Sequence, residues 1–88
     1  MDEALRAIAN RRRRTILGLV WDRERTASEI AALSALSKPA ASQHLRVLRE
    51  AALVRVRSAG NQRLYRADRE RIAELRRDLD AFWGEREI

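Results

Sequence analysis

The chain has 88 residues, 45% of them hydrophobic, with a formal net charge of +6 at pH 7, enough for one compact core and too little for two. It has no cysteine and one histidine, His44, which excludes disulfides, thiolate metal sites and a zinc site built of several imidazoles; a second subunit is then the expected support for so small a core. The longest uncharged stretch, Ile30 to Ser37, falls far short of the ~20 apolar residues of a membrane span, and no apolar run follows the charged start, so a cytoplasmic protein without membrane contact is expected.

The charge is uneven. Residues 1–67 carry 14 basic and 6 acidic side chains, whereas residues 68–88 carry 5 and 7. Within 38–67, Lys38, Arg46, Arg49, Arg55, Arg57, Arg63 and Arg66 stand against Glu50 alone. Such a block suits a polyanion, although charge taken by itself fits a solvated arginine-rich surface equally well.

No repeat, low-complexity tract or linker interrupts the chain, which reads as a single domain over 1–88. Ala4, Leu5, Ile8 and Ala9 predict a short opening helix broken near Asn10, a good N-cap for the next one. That second helix runs to about Trp21, with Ile16, Leu17, Val20 and Trp21 as a narrow buried stripe. Arg11 to Arg14 crowd its first turn, where the helix dipole disfavours cations; they are either solvated or compensated by an anion such as a DNA phosphate.

Thr26 and Glu29 form a T-x-x-E capping box, opening a short third helix with Ile30 and Leu33 expected to point inward. Ser37 caps a fourth helix to about Ala51, with Lys38 and Pro39 in its first turn, where a missing proline N–H costs nothing. The period then changes. Val54 and Val56 alternate with Arg55 and Arg57, Ser58-Ala59-Gly60-Asn61 make a tight turn, and Gln62 to Ala67 return as a basic hairpin. Leu64 and Tyr65 are adjacent and cannot both face inward, so the register of the return strand stays open. From Asp68 a last helix aligns Ile72, Leu75, Leu79, Phe82 and Trp83, with Gly84 placed to end it.

Two helices joined by a short turn and followed at once by a basic hairpin have the order of a winged helix-turn-helix, mainly α with a β-hairpin wing. In the fourth helix Ala41, Leu45 and Leu48 fall on the core side, leaving Lys38, Pro39, Gln43 and Arg46 outside. Gln43 can pair bidentately with adenine and Lys38 can donate to guanine, making them the expected base readers. Ser37, Ser42, Arg46 and Arg49 are placed for phosphates. Ala40 belongs to the same helical surface. His44 lies between the two faces, as a packed or phosphate-bonded ring. Arg55, Arg57 and Arg63 of the hairpin are expected on the DNA backbone or in the minor groove. In the last helix, Leu75, Leu79, Phe82 and Trp83 form a stripe large for a terminal helix. With Leu5 and Ile8 it is expected to make a homodimer seam from about 3–9 and 68–83.

Ala9-Asn10 through Arg14-Thr15-Ile16-Leu17, the run Ser37-Lys38-Pro39-Ala40-Ala41-Ser42-Gln43-His44-Leu45-Arg46-Val47-Leu48-Arg49-Glu50-Ala51, then Leu53 to Arg57 and Arg63-Leu64-Tyr65-Arg66 together resemble the ArsR/SmtB family of winged-helix repressors over roughly residues 3–83. The resemblance implies a dimer on the first and last helices, DNA reading by the fourth helix and hairpin, and repression that a metal or other signal often relieves. Thr26 and Ser28 stand where metal-sensing members have a cysteine pair, and the last helix lacks histidine, so no metal or other cofactor is expected. Ala35 and Ala52 stand where the family commonly has glycine.

The resulting expectation is a homodimeric, metal-independent repressor that binds a palindromic operator in double-stranded DNA through helix 37–51 and hairpin 54–66, its effector unknown. A winged-helix module that binds an acidic protein is the competing class. An enzyme is the weakest, because one histidine, no cysteine and no glycine-rich phosphate loop leave no nucleophile–base pair.

Overall fold

In the computed structural model, which describes residues 1–84, the elements follow as α1 (Asp2–Ile8), α2 (Arg11–Leu19), β1 (Arg25–Thr26), α3 (Ala27–Leu33), α4 (Lys38–Glu50), β2 (Val54–Ala59), β3 (Gln62–Ala67) and α5 (Arg69–Gly84). Short polar side chains open α2, α3, α4 and α5. Asn10 accepts from the amides of Arg12 and Arg13 at 2.9 and 3.1 Å. Thr26 and Glu29 satisfy each other's amides at 3.2 and 2.9 Å in the expected capping box. The Ser37 hydroxyl accepts from Ala40 N at 3.2 Å, and an Asp68 carboxylate oxygen accepts from Arg71 N at 3.1 Å. Each satisfies an orphan donor of a first turn.

Both helices of the helix-turn-helix end alike. Leu36 N donates to Ala31 O and Ala35 N to Ala32 O; Leu53 N donates to Leu48 O and Ala52 N to Arg49 O. These are Schellman pairs, whose first residue past the cap must be left-handed, and Ala35 and Ala52 accordingly have φ of 56° and 62°.

The apolar stripes meet in one core, with Ile16, Val20, Ile30, Leu45, Leu48 and Leu53 its largest fully buried side chains. α2 stops at Leu19, two residues short of the expected end, and Trp21 is only half-buried, its ring 5.2 Å from the Arg69 guanidinium. Leu33 does not point inward: it is 54% exposed, and Ala31 is buried beside Ile30 instead. At ~100° per residue, the inward arc of Ala27, Ile30, Ala31 and Ser34 is centred about 110° from Leu33.

Among the described residues the sheet has three strands, in the order β1-β3-β2, all antiparallel. The hairpin was expected; β1 was not, because two residues carry no period. Arg25 pairs with Tyr65 and Thr26 with Leu64, and the Arg25 guanidinium donates to Leu19 O at 2.7 Å, closing the end of α2. The wing loop is Gly60-Asn61, with Gly60 at φ 61°, the positive φ a two-residue hairpin turn needs at its first position. Ala67 N donates to Val20 O at 2.9 Å, tying β3 to the end of α2, and Asp68 N donates to Leu53 O at 2.8 Å, continuing the hairpin by one rung to the start of α5. α5 is described through Gly84; whether that glycine ends it involves residues outside those described.

Candidate nucleic-acid interface

α4 carries its apolar stripe as expected, with Ala41, Leu45 and Leu48 buried to 1% exposure or less. That fixes the rotation of the helix and turns Lys38, Pro39, Ser42, Gln43, Arg46 and Arg49 to the exposed side, with Ala40 and His44 half-buried at its margins and Ser37 exposed at the cap. Arg46 reaches Glu50 one turn on, at 3.3 Å with both side chains largely exposed, a pairing weak enough to exchange for a phosphate.

The register of the wing decides which arginines join this face. Val54 pairs with Ala67, Arg55 with Arg66, Val56 with Tyr65, Arg57 with Leu64 and Ser58 with Arg63. Directly paired residues share a side of the sheet, so Tyr65 and Arg63 lie on one side and Leu64, Arg55, Arg57 and Arg66 on the other. The first side faces α4. Ser42, Leu45, Arg46, Arg49, Glu50, Arg63 and Tyr65 line a cleft of about 500 Å³ between recognition helix and wing. Tyr65 was missed by sequence reasoning, since its place depends on the register that Leu64-Tyr65 left open.

Arg55 and Arg57 are on the far side, and there they are paired. Arg57 holds both oxygens of Glu24, at 2.6 and 2.9 Å, and its hydrogen bond keeps that carboxyl below the usual carboxylate range. Arg55 donates to Asp68 at 3.0 Å. Burial pushes the Asp68 carboxyl up, but the Arg71 amide and the Arg55 guanidinium outweigh it and hold it below its ordinary value. The structure therefore does not bring Arg55 and Arg57 to the α4 cleft, and of the three candidate wing arginines it places only Arg63 there.

The arginines at the start of α2 take neither of the expected forms uniformly. Arg13 donates to Ala7 O at 2.7 Å and Arg6 O at 3.1 Å, and Arg14 donates to Ile8 O at 2.7 Å. They close three terminal carbonyls of α1, where the dipole favours cations; Arg11 and Arg12 are exposed. A further N–H of Arg13 meets His44 Nδ1 at 3.4 Å. His44 is thus packed toward α2, and burial, then the charges of Arg13 and Arg12, push its pKa below the ordinary 6.5.

The α5 stripe divides by depth. Leu75, expected at the dimer seam, is 3% exposed in the chain's own core, because the start of α5 is held on the core by the Asp68–Leu53 bond. Leu79 is half-buried, Phe82 is 39% exposed and Trp83 59%. The last two rings meet edge to face, 5.2 Å apart. Leu5 and Ile8 are half-buried on α1. No helix among the described residues is long and apolar enough to cross a membrane.

Comparison with known proteins agrees with this architecture. The family described as "Bacterial regulatory protein, arsR family" matches residues 10–56, from the α2 cap into the wing. The HTH-type transcriptional regulator Rv2034 of Mycobacterium tuberculosis is 43% identical over 82 residues, covering 93% of this chain and 77% of that protein. The homodimeric winged helix-turn-helix DNA-binding domain (fragment 1–100) of Mb0332 from Mycobacterium bovis superposes with a TM-score of 0.78 at 30% identity, covering 99% of this chain and 81% of that one. An ArsR-like transcriptional regulator from Rhodococcus sp. RHA1 gives 0.90 at 25% identity, over 96% and 77%. Rv2034 and the Rhodococcus protein are transcriptional regulators rather than enzymes, and the two solved structures share the fold from which the α4 face was built. The chain belongs to the ArsR family of bacterial regulatory proteins and is a winged helix-turn-helix transcriptional regulator.

Proposed function

We propose that the protein is a homodimeric repressor that reads a palindromic operator without a metal. The observation that carries this is the outward face of α4, where Lys38, Gln43, Arg46 and Arg49 are exposed together beside the cleft shared with Arg63. An α-helix fits the major groove, and its first turns reach base edges. Gln43 and Lys38 are the readers; Ser37, Ser42, Arg46, Arg49 and Arg63 hold the phosphates on either side, and Pro39 and Ala40 shape the surface that approaches the groove. Arg55 and Arg57 contribute at longer range, since reaching DNA requires them to leave Asp68 and Glu24.

The second subunit docks on α1 and the end of α5, through Leu5, Ile8, Leu79, Phe82 and Trp83. The radius of gyration is 14.1 Å, against ~12 Å for a compact chain of this length, as suits a helix whose end rests on a partner. The homodimeric state of the Mycobacterium bovis domain supports the same assembly. Two-fold symmetry then sets the recognition helices ~34–36 Å apart, one turn of duplex. Thr26, standing where metal-sensing relatives of the family have a cysteine, has its hydroxyl engaged in the α3 cap, which suits a regulator whose signal is not a metal. Acting on chromosomal DNA, it works in the cytoplasm.

Selection of binding sites from random duplex, followed by fluorescence anisotropy across a salt series, tests the proposal. A recovered palindrome bound at least 10³-fold more tightly than random duplex is the expected result. Equal affinity for both at every salt concentration overturns it and leaves an acidic protein as the partner of the basic face.

A further inference from the structure

Arg13 occupies a junction that neither helix capping nor DNA contact accounts for in full. Its backbone amide is fixed by the Asn10 side chain at 3.1 Å. Three donors of its guanidinium go to acceptors on two other helices: Nε to Ala7 O at 2.7 Å and Nη2 to Arg6 O at 3.1 Å on α1, and Nη1 to His44 Nδ1 at 3.4 Å on α4. A planar fork meets three acceptors in three directions. A lysine ammonium, a point charge on a flexible stem, cannot reproduce that arrangement.

We propose that Arg13 is a positioning residue for the recognition helix, tying α4 to the C-terminus of α1 and fixing the His44 ring with its proton on Nε2. The tautomer follows from the direction of the bond. Arginine only donates, so Nδ1 accepts, and the neutral ring keeps its hydrogen on the other nitrogen. His44 directly follows Gln43 on α4, so a ring held by Arg13 of α2, itself anchored on the carbonyls of α1, sets the rotation and depth of the side chains on the exposed face. The inference rests on α4 being the reading element. It adds a route by which a displacement of α1, one of the two helices assigned to the subunit seam, reaches the groove-facing surface.

The link is sensitive to protons. The charged groups bearing on the imidazole are Arg13 and Arg12 of α2; α1 contributes the carbonyls of Arg6 and Ala7 through Arg13. Protonation removes the Nδ1 acceptor and sets an imidazolium against two guanidiniums. Below the ordinary histidine value of 6.5 the unfolded chain takes up this proton before the folded one does, so the stability associated with the neutral ring declines as pH falls through that window.

Because His44 is the sole histidine of the chain, its ring can be followed without ambiguity by long-range ¹H–¹⁵N spectra of the whole protein. The wild type is expected to show an unprotonated Nδ1 at pH 7.5 and a titration midpoint below the ordinary value. In R13K, which keeps the charge, and in R13Q, which keeps an amide donor, the tautomers should mix, and in R13Q the midpoint should also rise. Anisotropy then separates positioning from charge. Loss of a cation weakens selected and random duplex alike, whereas loss of the latch lowers the ratio of the two affinities, by roughly tenfold, in R13K as well as R13Q. Circular dichroism checks that both variants retain their helices. A protonated Nδ1 in the wild type, or a ratio within twofold of wild type in both variants, overturns the proposal. If the wild type prefers no duplex, the reading of α4 falls, and the nitrogen spectra alone still decide the Arg13–His44 link.

Discussion

Two alanines carry the backbone strain of the helix-turn-helix. Ala35 at φ 56° and Ala52 at φ 62° occupy the left-handed position of their Schellman pairs, where a Cβ crowds the carbonyl. Replacing either with glycine removes that cost and outweighs the added freedom of the unfolded chain. Ala35→Gly and Ala52→Gly are each expected to stabilise by about 1 kcal/mol, a rise of roughly 4–8 °C in Tm for a domain of this size, measured by thermal melts at one fixed protein concentration. Asp68 offers a second residue-scale test. Its carboxylate caps α5 and accepts from Arg55, and its pKa is depressed. The stability it contributes is therefore present above the ordinary aspartate value and is lost as pH falls through the lower folded value. Urea midpoints over roughly pH 2 to 5 should drop less steeply in Asp68→Asn than in the wild type; identical slopes would show that the carboxylate is not linked to folding.

At the scale of elements, the register of the wing separates arginines that look equivalent in sequence. Arg63→Ala should weaken binding to every duplex and reduce the slope of log affinity against log salt by about 1, as should Arg49→Ala. Arg57→Ala should change that slope less, because its guanidinium is held by Glu24 on the side away from α4. Equal slope changes for Arg57 and Arg63 in anisotropy titrations would mean that the wing reorients on DNA. Gln43→Ala is different in kind: it should cost about 1–3 kcal/mol at the base it reads, seen as relaxed preference at one operator position with the salt slope unchanged. The caps of α3 and α4 and the α4 stripe were legible in the sequence, since Thr26, Glu29, Ser37 and Ala41-Leu45-Leu48 act within one helix. β1 and the side of the sheet on which Arg55 and Arg57 lie were not. Both depend on pairing with a strand about 40 or about 10 residues away.

The whole molecule places its largest exposed rings at the end of α5. Phe82→Ala with Trp83→Ala should shift sedimentation equilibrium toward monomer while leaving helix content intact, and DNA affinity should fall with the loss of one half-site. Leu75→Ala should instead lower stability by about 2–5 kcal/mol, the cost of a cavity in a packed core, in monomer and dimer alike. If Leu75→Ala dissociates the protein without destabilising it, the assignment of that side chain to the internal core fails.

The sequence by itself determined the helices, their N-caps and the position of the wing, because each rests on residues close in the chain whose periodicity or capping chemistry is local; the family was legible through the resemblance of its motifs. Tertiary structure alone decided the exposure of Leu33, the burial of Leu75, the side of the sheet taken by each arginine, and the use of Arg13 and Arg14 on the carbonyls of α1. Those outcomes turn on which helix or strand lies across from a side chain, a relation that forms only when separate elements pack, even where, as with Arg13 and α1, they adjoin in the chain.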